Sequence, residues 1–420
     1  MNKKRPYKEI RFSNGVTIIY SFTEKNPISA CHLFLPQGTG TEPLSKSGVT
    51  TLLWSLLLKG TKQRTAKEIA ELMESRGASI GAGATHDYSE VSCHSISENF
   101  PLVLDLFSEV LFEPLFDKQE VEKERRALIA GIQSKKESIY SIASEELNKF
   151  LFENHAYSRP SSGIESTVKE LSVEDLNDRH QSILSPHGVV LSIATNHTLK
   201  LLLPQLTKIF GSEKWKENKK EKKHGKIFET PIPPKSIEFE KSEHFEQAFL
   251  MMGFPAAPIA SKDYVILKVF NGVLGGGMST RLFQELREKH GLAYDVGSYY
   301  VSKKAGSSWV VYIGLQESRI EEAELKIKEV LNEISSKKIP AKELEEVKSY
   351  LKGSFILDHQ TSSQIAHYLG WWKILGLRPN FDREYLKKIN GVSSQKILTT
   401  VKKYLSLPSV TIRILPGKNK

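Results

Sequence analysis

Residues 274–294, LGGGMSTRLFQELREKHGLAY, are the most informative stretch of this 420-residue chain. Its pattern predicts a helix over residues 280–290, and Gly291 suits the position just past a helix C-terminus. Tyr294 then begins a strand, so the chain reverses between Arg287 and Tyr294, and both side chains can face one cleft. Arg supplies fixed hydrogen-bond donors and Tyr a hydroxyl, a pair able to hold a peptide carbonyl and to stabilise a developing oxyanion.

The same stretch resembles the C-terminal-domain signature of the pitrilysin/insulinase family of zinc metallopeptidases, whose members include the mitochondrial processing peptidase. The resemblance implies that Arg287 and Tyr294 bind the backbone of a substrate. In an arbitrary sequence, an Arg and a Tyr at this spacing would be expected to have structural roles, the Arg in a surface ion pair and the Tyr packed in a core. The match along the whole stretch favours substrate binding instead.

Two further segments extend the resemblance over nearly the whole chain. Residues 155–194, HAYSRPSSGIESTVKELSVEDLNDRHQSILSPHGVVLSIA, are similar to the family's H-P-x-x-R-P-x-x-G stretch and the strand after it. Residues 121–133, VEKERRALIAGIQ, are similar to its E-R-x-V-V-x-E-E-I helix. The implied fold is α+β, with two homologous α/β sandwich domains of the processing-peptidase type.

The family's zinc-binding motif is present only as a degenerate copy. Active members carry G-x-A-H-F-L-E-H-M-x-F-K-G-T, in which two His bind zinc and the Glu activates the attacking water. Residues 48–61 read GVTTLLWSLLLKGT and align with this motif without a gap. Thr51 and Ser55 then stand at the two His positions, and Trp54 stands at the Glu position.

The third zinc ligand of the family falls on Gly131, directly after Ala130. Hydroxyl groups are poor zinc ligands beside imidazole and carboxylate, glycine has no side chain, and an indole cannot take a proton from water. The chain is therefore expected to bind no metal and to have no catalytic residue of its own. By resemblance, zinc is expected in a partner subunit that carries H-x-x-E-H.

The remaining histidines offer no obvious replacement for the missing ligands. His86 and Glu90 fall in the loop-strand segment HDYSE, and His359 and His367 lie eight residues apart in DHQTSSQIAHYL. Neither pair resembles H-x-x-E-H or its mirror, and the second pair has no carboxylate at helical spacing beyond Asp358. The second pair is read as polar surface residues.

An internal repeat indicates how the chain is divided into domains. Three strand or helix segments of the first half recur in the second half in the same order, at a nearly constant offset of roughly 220 residues. The order mixes hairpins and helices without strict βαβ alternation, as in α+β sandwiches. We predict an N-terminal domain over residues 1–212, a basic Pro-containing linker over 213–235 and a C-terminal domain over 236–420.

Composition describes a globular protein with a basic linker. The formal charge is +10, but residues 212–226 hold seven Lys against three Glu, and the rest of the charge is thinly spread, with no nucleic-acid-binding stripe. Cys31 and Cys93 lie in strand-like segments and are read as buried thiols, which suits a reducing compartment. No signal-peptide core or membrane-length apolar run is present, so a cytoplasmic location is expected.

These observations favour a non-catalytic subunit of a heteromeric zinc peptidase. A homologous partner would supply zinc and base, this chain would supply Arg287 and Tyr294, and a peptide or unfolded polypeptide would bind as an added strand. The alternative is a catalytically silent scaffold or interaction protein of the same fold. A solitary non-zinc enzyme lacks any visible catalytic constellation, and nucleic-acid binding through the linker would show a steep salt dependence.

Overall fold

The computed structural model describes residues 7–211, 215, 233 and 235–417. Its strands are β1 (Tyr7–Arg11), β2 (Thr17–Phe22), β3 (Ile28–Leu35), β4 (Ser79–Ala84), β5 (Ser89–Ile96), β6 (Val190–Thr195), β7 (Ile237–Glu243), β8 (Ala248–Ala256), β9 (Asp295–Val301), β10 (Ser307–Leu315) and β11 (Val410–Pro416). The helices include a π-helical segment, Phe283–Lys289.

The α-helices follow the strands in the order that the internal repeat predicts. They are α1 (Val49–Ser55), α2 (Ala66–Ser75), α3 (Phe100–Phe112), α4 (Lys118–Ser134), α5 (Ile139–Leu151), α6 (Glu165–Lys169), α7 (Val173–Ile183), α8 (Leu199–Phe210), α9 (Tyr264–Leu274), α10 (Ile320–Ser336), α11 (Ala341–Leu357), α12 (Ser362–Ile374), α13 (Phe381–Asn390) and α14 (Ser394–Leu405). The repeated segments are β3 and α1 against β8 and α9, then β5 and α3 against β10 and α10, then α4 against α11.

The first compact unit contains a six-stranded sheet in the order β1-β2-β6-β3-β5-β4. Strands β2 and β6 are parallel, and the other neighbours are antiparallel. Alternate residues of β3 point to opposite faces, so Cys31, Leu33 and Leu35 join α1 and α3 in the main hydrophobic core. The other face is covered by α12, where a Cβ on Gly370 would overlap the Phe34 ring.

The second compact unit repeats this plan with five strands in the order β7-β11-β8-β10-β9. Here α5 packs on β8 and β11, and Gly253 in β8 leaves room for the Leu147 side chain. The predicted α+β fold with two homologous α/β domains is thereby confirmed.

The domain boundaries differ from the two contiguous segments predicted from sequence. The described residues of Met1–Gln133, Pro160–His224 and Ile356–Asp382 form the first unit, while Ser134–Arg159, Gly225–Phe355 and Arg383–Lys420 form the second. The segments that contain α5 and α12 have thus changed places. An amphipathic pattern shows which helix face is buried but not which sheet buries it, so sequence alone could not reveal the exchange.

The predicted linker, 213–235, lies outside the described residues except for three positions. Trp215 is one of these and packs in the core of the first unit, with its indole N–H donating to the Leu184 carbonyl. Within the described part of the chain, none of the helices combines the length and apolar character needed to cross a bilayer.

Candidate functional site

Arg287 and Tyr294 lie side by side on the surface of the second unit. Arg287 lies in the π-helical segment, and its Nη1 donates to the backbone carbonyl of Tyr294 at 3.3 Å. The guanidinium carbon also lies 5.0 Å from the centre of the Phe283 ring, a cation–π distance. Because the Tyr294 side chain is 67% exposed and Arg287 is also exposed, both functional groups can reach a ligand.

The reversal predicted between these two residues is present and has a clear backbone cause. Gly291 has φ +58°, a left-handed conformation that glycine adopts without strain, and its N–H donates to the Arg287 carbonyl. The Leu292 N–H returns to the Leu286 carbonyl at 2.8 Å, and β9 begins directly after Tyr294. The turn therefore fixes the spacing of Arg287 and Tyr294.

The start of the same helix is anchored by an ion pair and a close backbone approach. Arg281 makes two charge-assisted hydrogen bonds with the Glu343 carboxylate, at 2.8 and 2.9 Å. Gly275 ends α9, and a Cβ there would lie 2.5 Å from the Ser298 nitrogen. This close approach explains why Gly275 needs to be glycine.

At the degenerate zinc motif, Trp54 is a core residue. Its side chain is only 5% exposed and packs in the main hydrophobic core of the first unit. The indole Nε1–H donates to Ser89 Oγ at 3.0 Å, and the Ser89 hydroxyl donates to the Gln37 carbonyl at 2.7 Å. A hydrogen-bonded, buried indole therefore stands at the position that aligns with the Glu of the zinc motif.

The two residues at the His positions of the motif bind the backbone. Thr51 Oγ1 donates to the Ser161 carbonyl at 2.7 Å, and Ser55 Oγ donates to the Leu52 carbonyl at 2.9 Å. The start of α1 is held by the buried Glu42 carboxylate, which accepts from the Gly48 and Thr50 N–H groups. The helix thus keeps its support but offers no metal-binding side chain.

The position that aligns with the family's third zinc ligand, Gly131, is exposed to solvent. Gly131 is exposed in α4, and a Cβ there would meet no atom within 4 Å. Two helical turns earlier on the same face of α4, Glu124 forms an ion pair with Lys59 at 2.8 Å. The expectation that no zinc binds at these motif positions stays a prediction.

A separate cluster on the opposite sheet face was missed by the sequence analysis. Glu90 Oε1 lies 2.6 Å from His32 Nδ1 and 2.9 Å from His367 Nδ1, and His32 Nε2 lies 2.9 Å from Ser363 Oγ. Burial by itself would raise the pKa of Glu90, but the hydrogen bonds from His32 and His367 lower it to about 2. Burial lowers the pKa of His32, although the hydrogen bond to Glu90 and the charge of that carboxylate act to raise it.

The two pairs considered from sequence are therefore split between different partners. His367 contacts Glu90, whereas His359 Nε2 lies 2.6 Å from Asp382 Oδ1. The view that these histidines are polar surface residues was wrong for His367, whose partner comes from a strand 277 residues away in sequence. No local spacing could have revealed this contact.

Comparisons with known proteins identify one family along most of the chain. A family model described as Insulinase (Peptidase family M16) matches residues 17–163, and a model described as Peptidase M16 inactive domain matches residues 170–351. A Bacillus subtilis protein named Uncharacterized zinc protease YmxG is 28% identical over 93% of each chain. A Helicobacter pylori protein named Non-peptidase homolog YmxG is 23% identical over 96% of this chain and 93% of its own length.

Solved structures show the same fold over the full length. A Pseudomonas fluorescens structure described as a peptidase M16 inactive domain superposes with a TM-score of 0.90, at 22% identity and 99% coverage of both chains. A structure described as a protease from Helicobacter pylori gives the same TM-score at 18% identity, covering 98% of this chain and all of its own.

Proposed function

Because this chain belongs to the insulinase (M16) peptidase family and lacks that family's zinc ligands, we propose that it is the non-catalytic subunit of a heteromeric zinc metallopeptidase. A homologous H-x-x-E-H subunit supplies the zinc ion and the water-activating Glu. We place this assembly in the cytoplasm. This chain contributes Arg287 and Tyr294, which bind the peptide or unfolded polypeptide substrate and stabilise the oxyanion at the partner's zinc.

The observation that carries this proposal is the contrast between the two regions related to the family's active site. Trp54 is buried and hydrogen-bonded where the catalytic Glu would stand, so this chain has no means of activating water there. Arg287 and Tyr294 remain adjacent and exposed. Loss of catalytic groups together with retention of binding groups fits a division of labour between subunits.

The retained pair has the chemistry that such a role requires. The guanidinium carries several fixed N–H donors, of which the Tyr294 carbonyl occupies one, so others stay available for a substrate carbonyl. The phenol hydroxyl of Tyr294 is a further donor. Donors held in place before the reaction stabilise charge that develops on a carbonyl oxygen, because the site does not have to reorganise.

The names of relatives support the two halves of the proposal. Uncharacterized zinc protease is the name of the Bacillus subtilis relative, and the Helicobacter pylori relative is named a non-peptidase homologue. A family that includes both kinds of chain can supply a subunit of each kind to one assembly.

The proposal is tested by variants of this chain in a purified assembly with an H-x-x-E-H homologue from the same organism. Tyr294→Phe and Arg287→Ala should each lower kcat for peptide cleavage by about 100- to 1,000-fold, the effect of losing one oxyanion donor. The matched controls are Tyr350→Phe and Arg319→Ala, which alter an exposed Tyr and a surface Arg of the same unit. Controls should retain full activity.

The scaffold alternative predicts a different result. If Arg287→Ala and Tyr294→Phe leave kcat and KM unchanged in an assembly that cleaves peptide, then this chain contributes no binding group and serves as a scaffold. Size-exclusion chromatography of each variant with the partner separates loss of chemistry from loss of assembly.

A further inference from the structure

The His32, Glu90 and His367 side chains converge on the sheet face that α12 covers. His32 comes from β3, Glu90 from β5 and His367 from α12, and one potential ligand atom of each lies within 4.8 Å of the others. Among the described residues, this is the one group of three such side chains that could share an ion. We propose that these three residues bind a divalent transition-metal ion, with zinc as the preferred occupant.

The donor set matches the chemistry of zinc. Two imidazole nitrogens and one carboxylate oxygen are a known ligand combination for zinc sites that keep a fourth position for water. Zinc–ligand distances of about 2.1 Å place neighbouring ligand atoms roughly 3.4 Å apart in a tetrahedral site. The present distances of 2.6 and 2.9 Å are those of hydrogen bonds, so Glu90 Oε1 would have to move about 0.8 Å away from His32 Nδ1 and about 0.5 Å away from His367 Nδ1 to admit the ion.

His32 also has the outer hydrogen bond that orients a metal-binding imidazole. Its Nε2 lies 2.9 Å from Ser363 Oγ, which can accept the Nε2–H while Nδ1 presents its lone pair to an ion. The neighbouring Ser362 hydroxyl donates to the Ile28 carbonyl at 2.6 Å, and Thr361 caps α12. The start of α12 is therefore fixed, and Ser363 is held beside His32 before any ion binds.

The cluster is shielded but not sealed. The side chains of His32, Glu90 and His367 are 8%, 20% and 30% exposed. A buried ionised Glu needs a positive partner or several donors, and a divalent cation meets that need better than two neutral imidazoles do. The remaining exposure leaves a route for the ion and for a water ligand.

A bound ion would join three segments that are far apart in sequence. It would link α12 to β3 and β5 of the first sheet. In the chain, α12 comes after β7, β8, β9 and β10, so the linked segments are far apart in sequence. Its expected effect is therefore stabilisation of the first unit. This site lies on the opposite face of β3 from the core that contains α1, so the inference does not depend on the peptidase proposal.

Metal content and cobalt spectroscopy test the site directly, on protein without a histidine tag. After removal of metal by a chelator, the full chain should take up one equivalent of Zn²⁺ that survives dialysis, and zinc should raise its Tm. Co²⁺ bound in place of Zn²⁺ should give the visible absorption of a four-coordinate site with nitrogen and oxygen ligands. His367→Ala should weaken Zn²⁺ binding by more than about 100-fold, since even loss of an outer-shell partner costs roughly 10- to 100-fold.

The matched control is His359→Ala, because His359 pairs with the Asp382 carboxylate in the same unit and lies outside the three-residue cluster. It should bind zinc as tightly as the native chain. Ser363→Ala tests the outer shell with little risk to folding and should weaken binding by about 10-fold or more. Absence of stoichiometric zinc, or equal binding by His367→Ala and His359→Ala, would overturn the proposal.

Discussion

The segment around α1 aligns with the family's zinc motif, the segment around Arg287 resembles the family's C-terminal-domain signature, and the two differ in what they expose. At α1, the Glu42 carboxylate holds the helix start, and Trp54 packs in the hydrophobic core at the motif's Glu position. Around Arg287 the turn at Gly291 remains and the functional side chains stay exposed. The degenerate zinc motif is thus buried, whereas the Arg/Tyr pair is accessible to a ligand.

The largest expected effect on stability comes from restoring the residues of the zinc motif in α1. Trp54→Glu combined with Thr51→His and Ser55→His should lower the free energy of unfolding by at least about 4 kcal/mol, because it leaves a cavity and buries a carboxylate. Urea unfolding measures the change, and Leu44→Glu at a 74% exposed position is the control. Tight zinc binding at α1 without a fall in Tm would show that this site is not packed shut.

A smaller loss is expected when the support of α1 is weakened. Glu42→Gln should cost about 1.5–3 kcal/mol, because the buried carboxylate accepts two backbone hydrogen bonds, at 2.9 and 2.7 Å. Glu24→Gln, in an exposed loop position, should be neutral in the same urea titration. Equal stability of the two variants would mean that Glu42 does not hold α1.

At the other segment, the turn is more sensitive than the side chains. Gly291→Ala should cost about 1–2 kcal/mol, because φ +58° strains any residue with a Cβ. Gly353→Ala is the control, since it lies in helix α11 with open space around it and should stabilise by about 0.5–1 kcal/mol. A gain in stability at Gly291 would contradict the turn geometry described above.

The smallest stability effect is expected at the functional side chains themselves. Arg287→Ala and Tyr294→Phe should each change the free energy of unfolding by no more than about 0.5 kcal/mol, because both side chains are exposed. Thermal unfolding of each purified variant measures this. A loss comparable with that of the Trp54 variant would mean that the pair has a structural role.

Much of this contrast could be predicted from the sequence. Trp54, Thr51 and Ser55 fall on motif positions because the alignment there has no gap, and Gly291 marks the turn that sets Arg287 beside Tyr294. The packing of Trp54 against Ser89 depends on strand pairing that no local pattern contains. The exchange of α5 and α12 between units was hidden for the same reason.

The His32, Glu90 and His367 cluster shows the limit of sequence reasoning most clearly. His32 and Glu90 are 58 residues apart, and Glu90 and His367 are 277 apart. Their meeting requires the β3–β5 register, in which Phe34 pairs with Glu90, and the placement of α12 on the same face. Neither the register nor the helix placement leaves a signal in residue spacing.

The division of labour is tested most directly by peptide cleavage assays on this chain alone and on the chain co-purified with an H-x-x-E-H homologue. The account predicts no cleavage by the chain alone, and zinc-dependent cleavage by the assembly that disappears with Arg287→Ala. Zinc-dependent cleavage by this chain alone, or an assembly whose activity is indifferent to Arg287 and Tyr294, would contradict it.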